Sequence, residues 1–439
     1  TLHLEYSQWS VTHIDFDLSQ SIETQLHQAS LESNVPVKQR EIEVCYRGNS
    51  RLVSRACRLE KRESSLLALP DVTYKLTKDS SGDLNAMQLH PQLMKSLTSR
   101  EIRVGVQAVG INFRDVLNAM ALNLGVGSDL LGSDFSGTVL EIGAAVTHVS
   151  VGDEVFGIAF GSLASEAITH ESLVYVKPVA LTHAEAATLP SVFLTNYRAL
   201  IEEAQLQPGD KILIHAATGG VGLSAIQMAR AMGAEIYVTA GTPEKRAYLR
   251  QLGLLHVYDS RSLTYAEEIL SDTNGIGINV VLNSLTGEGF IEATLRCSAQ
   301  QARFIELSKR AIWTKAQMTE VRSDVQYSII ALDKDLTERP EHAAVMWHEM
   351  QAYFDQGIYS ALPTTAFSVR HVVDAFHYMQ QAKHIGKVIV NLQKPMQETL
   401  QLNAQASYLI TGGLTGLGLA TAELLIKRGA KQLILIGRR

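Results

Sequence analysis

From residue 192 to residue 333, short apolar runs alternate with segments whose apolar positions recur at helical spacing. Strands are predicted at 211–215, 235–240, 256–258, 278–282 and 302–307, and helices at 184–203, 219–232, 243–252 and 263–271. That βαβ rhythm predicts an α/β fold with a parallel, doubly wound sheet. Ahead of it, strand signals run from Tyr74 to Val109, and a second β-rich run holds Gly132 to Val139. Val151 to Gly157 reads as a turn with a short strand. A further helix is predicted from Glu341 to Gln356, and this unit ends near Pro395. At the front, Gln39–Val44 and Arg51–Arg55 are basic alternating segments that read as short edge strands. Met396 to Gln405 is a polar linker. Beyond it a strand, a glycine turn and a helix recur at Tyr408 to Gly418, followed by a second strand, Gln432 to Arg439.

The most specific chemistry lies in Lys211-Ile212-Leu213-Ile214-His215-Ala216-Ala217-Thr218-Gly219-Gly220-Val221-Gly222. A strand, a tight glycine turn and a helix N-terminus together seat a dinucleotide pyrophosphate, because free N–H groups of the first turn point at the anion. An NAD site usually adds an Asp or Glu about 20 residues further on, against the ribose 2′-hydroxyl. The second strand here ends instead at Gly241-Thr242-Pro243, followed by Lys245, Arg246 and Arg261. That pattern favours a 2′-phosphate and hence NADPH; a solvated first helical turn is the other reading of Lys245 and Arg246. The strand at 432–439 also ends in arginines rather than an acid, so the second glycine turn reads as an NADP site too.

The 439 residues suggest two to four domains. A net charge of −6 argues against a nucleic-acid partner. No apolar run approaches the ~18 residues of a membrane span, and the N-terminus carries no basic-then-apolar signal segment. Cys45, Cys57 and Cys297 are scattered, so neither a disulfide framework nor a cysteine zinc site is expected, and a reduced cytoplasmic setting is the default.

Six motifs come in a telling order: Asn112-Phe113-Arg114-Asp115, Gly132-Ser133-Asp134, Val192-Phe193-Leu194-Thr195, the 215–222 turn, Val281-Leu282-Asn283-Ser284-Leu285 and His384-Ile385-Gly386-Lys387. As a set they resemble the enoyl reductase domain of modular type I polyketide synthases. Those domains are medium-chain dehydrogenase/reductases, related to quinone reductases. The resemblance covers about residues 75 to 395. It implies a GroES-like, β-rich substrate domain at 76–191 and 334–395, and a Rossmann NADPH domain at 192–333. Residues 1–62 look like the end of a ketoreductase structural subdomain, joined by a linker at 63–75. Residues 406–439, after the linker 396–405, look like the start of its catalytic subdomain, whose Ser and Tyr are expected beyond Arg439.

The resemblance implies NADPH-dependent reduction of a trans-2-enoyl thioester borne on the phosphopantetheine arm of an acyl carrier protein, with other domains of the same synthase as partners. It implies Lys309 and Asp333 as the proton-delivering pair, with Asn112 on the cleft floor. On residues alone, Lys309 also fits a solvated lysine past a strand end, and Asp333 a helix N-cap. Thr195, Asn283, Ser284, Leu285 and Lys387 match family positions near the cofactor, beside Thr218, Gly219, Gly220, Val221, Gly222, Gly241, Lys245 and Arg261 from the dinucleotide reading. Many relatives hold zinc through a Cys near the Asn112 position and a His-Glu pair; here Asn stands there, and no metal is expected. Where many members carry a Tyr that governs the face of protonation, this chain has Asn123, a poor acid, which leaves the stereochemical outcome open. The rival readings are a stand-alone quinone or enal reductase and a non-catalytic NADPH-binding scaffold.

Overall fold

The computed structural model describes residues 13–16, 20–33, 43–47, 50–53, 67–93, 95–122, 127–392, 406–412, 416–427 and 429–437. The linker 396–405, Asn123 and the terminal arginines lie outside these residues. Contacts divide the chain into two compact units, Thr1–Ser64 and Ser65–Arg439.

In the first unit the strands His13–Asp15, Glu43–Arg47 and Ser50–Val53 form a three-stranded sheet beside the helix Ile22–Ser33. The buried Glu32 carboxylate accepts from the Tyr46 hydroxyl at 2.7 Å and from both Nε and Nη2 of Arg51. One carboxylate thus ties the helix to the hairpin.

The second unit holds the parallel sheet that the apolar pattern predicts and a β-rich sheet that takes in the strand signals at 102–109, 132–139 and 151–157. Glu101–Ile111 is the spine of the β-rich sheet. Its Ile102, Val104, Val106 and Ala108 alternate inward at strand period. It pairs antiparallel with Asp134–Ile142, Glu166–His170 and Lys387–Asn391. Glu154–Ile158, Val174–Val176 and Thr364–Ser368 complete seven strands.

The other sheet has six parallel strands in the order His256–Asp259, Glu235–Ala240, Lys211–Ile214, Ile278–Asn283, Ser298–Glu306 and Gln326–Ile329. Strand order reverses between Lys211–Ile214 and Ile278–Asn283, the crevice where such sheets bind ligands. All five predicted strands are present. The sixth, Gln326–Ile329, was not legible in the pattern, because this edge strand buries Tyr327 between exposed Gln326 and Ile329. The predicted helix 184–203 is divided into His183–Ala186, Pro190–Asn196 and a π-helical turn, Tyr197–Glu203. Pro190 lacks the N–H that would continue a helix and sits where that donor is not needed, at a first turn.

Residues 334–395 serve both sheets. Helix Pro340–Asp355 buries Ala343, Met346, Trp347 and Met350 in the core that includes Ile212, Ile214 and Val280 of the parallel sheet. Trp347 stacks on Tyr175 at 4.7 Å between ring centroids, so the same core reaches the β-rich sheet. The strands Thr364–Ser368 and Lys387–Asn391 return to that β-rich sheet. Further on, Ser407–Thr411 pairs in parallel with Gln432–Ile436 around the helix Gly416–Lys427, as the second glycine signature predicts. No helix of the described residues is long and apolar enough to cross a membrane.

Candidate functional site

The strand Lys211–Ile214 runs into the turn, and Gly219 precedes the helix Gly220–Ala231. A Cβ on Gly222 would lie 2.5 Å from the Ala217 Cα, so only glycine lets helix and strand approach this closely. The returning chain closes over the turn from the other side. Gly386 donates its N–H to the Thr218 carbonyl at 2.8 Å. Its φ of +76° and the Pro363 carbonyl, 2.0 Å from where a Cβ would stand, both require glycine. Lys387 then lays its stem across Gly220, where a Cβ would fall 2.7 Å from the Lys387 Cδ.

A cavity of ≈ 500 Å³ lies along this seam, lined by Gly219, Gly220, Val221, Gly222, Ser284 and Lys387 among others. A second cavity of ≈ 210 Å³ continues it, and Asn112, Phe113, Leu117, Val221 and Leu307 line both. Thr195, Lys309 and Asp333 line only this second cavity, with a largely apolar wall that includes Ile158, Phe160 and Leu332. Lys309 Nζ donates to Asp333 Oδ1 at 2.7 Å. Asp333 lies in the first turn of the helix Leu332–Glu338, so it is not the cap; Ala331 holds that place. Arg114 Nε stands 3.5 Å from the other oxygen of Asp333, and its guanidinium lies over the Phe160 ring at 4.8 Å. Burial pushes the Asp333 carboxyl up, but Lys309 and Arg114 outweigh it and hold the group below the usual carboxylate range.

Asn112 occupies the cleft floor in a buried polar knot. Its Oδ1 accepts from Lys387 Nζ at 2.7 Å, and its Nδ2 donates to Ser133 Oγ and Asp134 Oδ2, each at 3.0 Å. Lys387 Nζ also donates to Asp134 Oδ2 at 2.8 Å, and Ser191 N donates to Asp134 Oδ1 at 2.9 Å. Asp115 accepts from the backbone N–H groups of Asn112 and Gly132. Burial nonetheless pushes its carboxyl up to about 6.

Beyond Ala382, which lines the larger cavity and whose carbonyl accepts from Lys245 Nζ at 2.7 Å, Lys245 and Arg261 gather beside Gly241. A Cβ on Gly241 would lie 3.1 Å from Arg261 Nε. Burial, then the neighbouring Arg261 charge, lower the Lys245 ammonium. Arg246 is committed elsewhere, to Asp259 at 3.0 Å and the Ala240 carbonyl at 3.0 Å. Asn283 is fully buried and does not line the cavity; its amide donates to Glu306 Oε2 at 2.7 Å and to the Leu285 carbonyl at 3.2 Å. Leu285 and Thr218 do not line the cavity either: Leu285 N donates to Asn283 Oδ1 at 3.2 Å, and the Thr218 carbonyl is the one that accepts from Gly386. Glu306 accepts in turn from Ser308 N at 2.8 Å, which fixes the start of the loop carrying Lys309. Asp134, Glu306 and Arg114 were not singled out from sequence. Two of them stand inside the six motifs, but only the fold shows what each one touches.

The family descriptions match in the same arrangement. Residues 98–195 match the alcohol dehydrogenase GroES-like domain, 220–322 the zinc-binding dehydrogenase, and 406–439 the KR domain. A phenolphthiocerol/phthiocerol polyketide synthase polypeptide of Mycobacterium tuberculosis is 35% identical over 378 residues, covering 83% of this chain and 17% of that protein. The chain thus spans about a sixth of the length of this curated relative. The crystal structure of CurK enoyl reductase is 38% identical with a TM-score of 0.70, covering 74% of this chain and all of that one. The quinone oxidoreductase of Escherichia coli complexed with NADPH shares the fold at 22% identity and a TM-score of 0.66, over 73% of this chain and 100% of that one.

The zinc named in one description does not fit these residues. The donors grouped at Asn112 are an amide, a hydroxyl and a carboxylate, with neither thiolate nor imidazole, and the Lys387 ammonium already fills their centre. His170 accepts from Ser172 N as the cap of a short turn, and Glu171 pairs with Arg100 at 2.6 Å. Among the described residues, no three His, Cys, Asp or Glu converge on one point.

Proposed function

The chain belongs to the enoyl reductases of polyketide synthases, within the medium-chain dehydrogenase/reductases, and on that premise we propose that it reduces a trans-2-enoyl thioester on an acyl carrier protein with NADPH. The observation that carries this reading is the Lys309–Asp333 pair, held at 2.7 Å on the wall of a cavity continuous with the glycine-turn cleft. Bound NADPH supplies the hydride for the β-carbon of the substrate. The electron pair of the double bond then moves onto the thioester as an enolate. Lys309 Nζ gives a proton to the α-carbon and regains one from solvent. Asp333 keeps the lysine charged and aimed until that moment. The apolar wall from Ile158 and Phe160 excludes water around the acyl chain. Lys245 and Arg261 bind the 2′-phosphate, and the 219–222 turn binds the pyrophosphate. The carrier protein and the remaining domains of the synthase are the proposed partners.

The test follows nicotinamide absorbance with trans-2-butenoyl pantetheine, NADPH and NADH in parallel. Turnover with NADPH, falling at least about tenfold with NADH, is expected from loss of the charged 2′-phosphate contacts. Turnover with a quinone but not with the thioester overturns the synthase reading. Cofactor binding without turnover of either substrate favours the scaffold.

A further inference from the structure

His384 lies in the segment that closes over the glycine turn, between two fixed contacts. On one side the Ala382 carbonyl accepts from Lys245 Nζ at 2.7 Å, and on the other Gly386 N donates to Thr218 O at 2.8 Å. The ring therefore sits between the group of cations at Gly241 and the pyrophosphate turn, and it lines the larger cavity. Its Nδ1 is buried and has no hydrogen-bond partner. The neighbouring charges come from Lys245 on the helix Pro243–Gln251 and Lys387 on the strand Lys387–Asn391. The Tyr378 ring, on the helix Val372–Gln380, stands 6.5 Å away. A buried ring nitrogen left unsatisfied near two ammonium groups at a cavity wall is costly unless something outside the chain completes it.

We infer that His384 is a proton-linked ligand for a phosphate of the dinucleotide, neutral in the free protein and protonated when the anion is bound. The inference deepens the reading of this cleft as a dinucleotide site and rests on it. Burial, then Lys245 and Lys387, hold the free imidazole down to about 4. A bound phosphate reverses the local sign of charge, so the imidazolium becomes the favoured form and donates to the phosphate oxygen. The proton comes from solvent, and binding takes up a fraction of one proton per site. Affinity therefore strengthens as pH falls from 8 toward 6.

The experiment is calorimetric titration of the whole chain with NADP⁺ and with NAD⁺ at pH 6.5 and 8.0, in buffers of different ionisation enthalpy. The unaltered chain is expected to take up protons on binding NADP⁺. His384→Gln should abolish that part of the uptake and weaken binding about tenfold at pH 6.5, the usual size for a charge-assisted bond, with a smaller loss at pH 8.0. Any proton exchange by the ligand itself is common to both proteins and cancels. If only NADP⁺ binding responds, the anion is the 2′-phosphate; if NAD⁺ responds equally, it is the pyrophosphate; both uphold the role. His384→Asn, compared by thermal melting, separates loss of the ring from loss of the fold. Equal affinity and equal proton uptake in both variants and the unaltered chain overturn this inference alone, whereas failure of the unaltered chain to bind either dinucleotide overturns the cleft reading with it.

Discussion

The family resemblance, not any local pattern, singled out Lys309 and Asp333 as a pair; that their side chains meet at 2.7 Å depends on bringing together residues 24 apart across a sixth strand. If the pair delivers the proton, Lys309→Met should lower kcat at least about a hundredfold while the KM for NADPH stays close to its original value. Steady-state kinetics check this, and an unchanged kcat means that solvent protonates the enolate. His215 stands on the same cleft, yet its ring is turned inward, with its nitrogens 3.0 Å from Thr239 Oγ1 and 3.1 Å from Thr294 Oγ1. Burial pushes it down to about 3 from its ordinary 6.5. A depressed histidine contributes stability that is present above the unfolded value and lost as pH falls toward the folded one. Asp115, raised from 3.8 to about 6, has the opposite sign and contributes stability that is lost as pH rises through that window. Going from pH 7 to pH 5, His215 should thus cost about 2 kcal/mol of unfolding free energy. In His215→Gln that part of the pH dependence disappears while the contribution of Asp115 remains; denaturant unfolding at the two pH values measures the difference.

Among the elements, the π-helical turn Tyr197–Glu203 reaches the site through Arg198. The extra residue in its turn brings both Glu202 and Glu203 to one side of Arg198, whose Nη2 is 3.1 Å from Glu203 Oε1. Arg198 Nε then reaches Asp335 Oδ2 at 3.2 Å, on the short helix that presents Asp333. Glu202 Oε1 in turn lies 2.7 Å from His342 Nε2. Arg198→Gln should therefore loosen the Leu332–Glu338 helix and cost about 1–2 kcal/mol, a buried-pair loss discounted for partial exposure. Hydrogen exchange should show faster amides in 332–338, and unchanged protection there would mean that packing alone holds the helix. Helical periodicity over 184–203 carried no hint of this turn, since a 7-residue stretch of wider winding is too short to break the apolar pattern of the whole segment.

For the whole molecule, the decisive contact is Lys387 with Asp134: both stand on the β-rich sheet, 3% and 0% exposed, and the Lys387 stem crosses Gly220 while Asp134 accepts from Ser191 N, so the pair seats this sheet against the glycine turn. Lys387→Met leaves a buried carboxylate unpaired and should cost about 3–5 kcal/mol, while Lys387→Met with Asp134→Asn should recover part of that. Thermal melting of the single and double variants checks it, and additive losses would deny the coupling. The amino-acid sequence by itself determined the parallel sheet, the strand-rich segments ahead of it, the glycine turn and the cations that follow it, because strand and helix periods, glycine at close approaches and the absence of an acid after the second strand are local properties. It also determined which motifs belong together. Only the tertiary structure decided that Lys387 fills the centre of the Asn112 donors, that Asn283 faces Glu306 rather than the cleft, and that the Lys309 and Asp333 side chains meet. Those outcomes depend on which strand ends are brought side by side, and pairing across hundreds of residues is set by the packing of the whole core, which no local window of sequence contains.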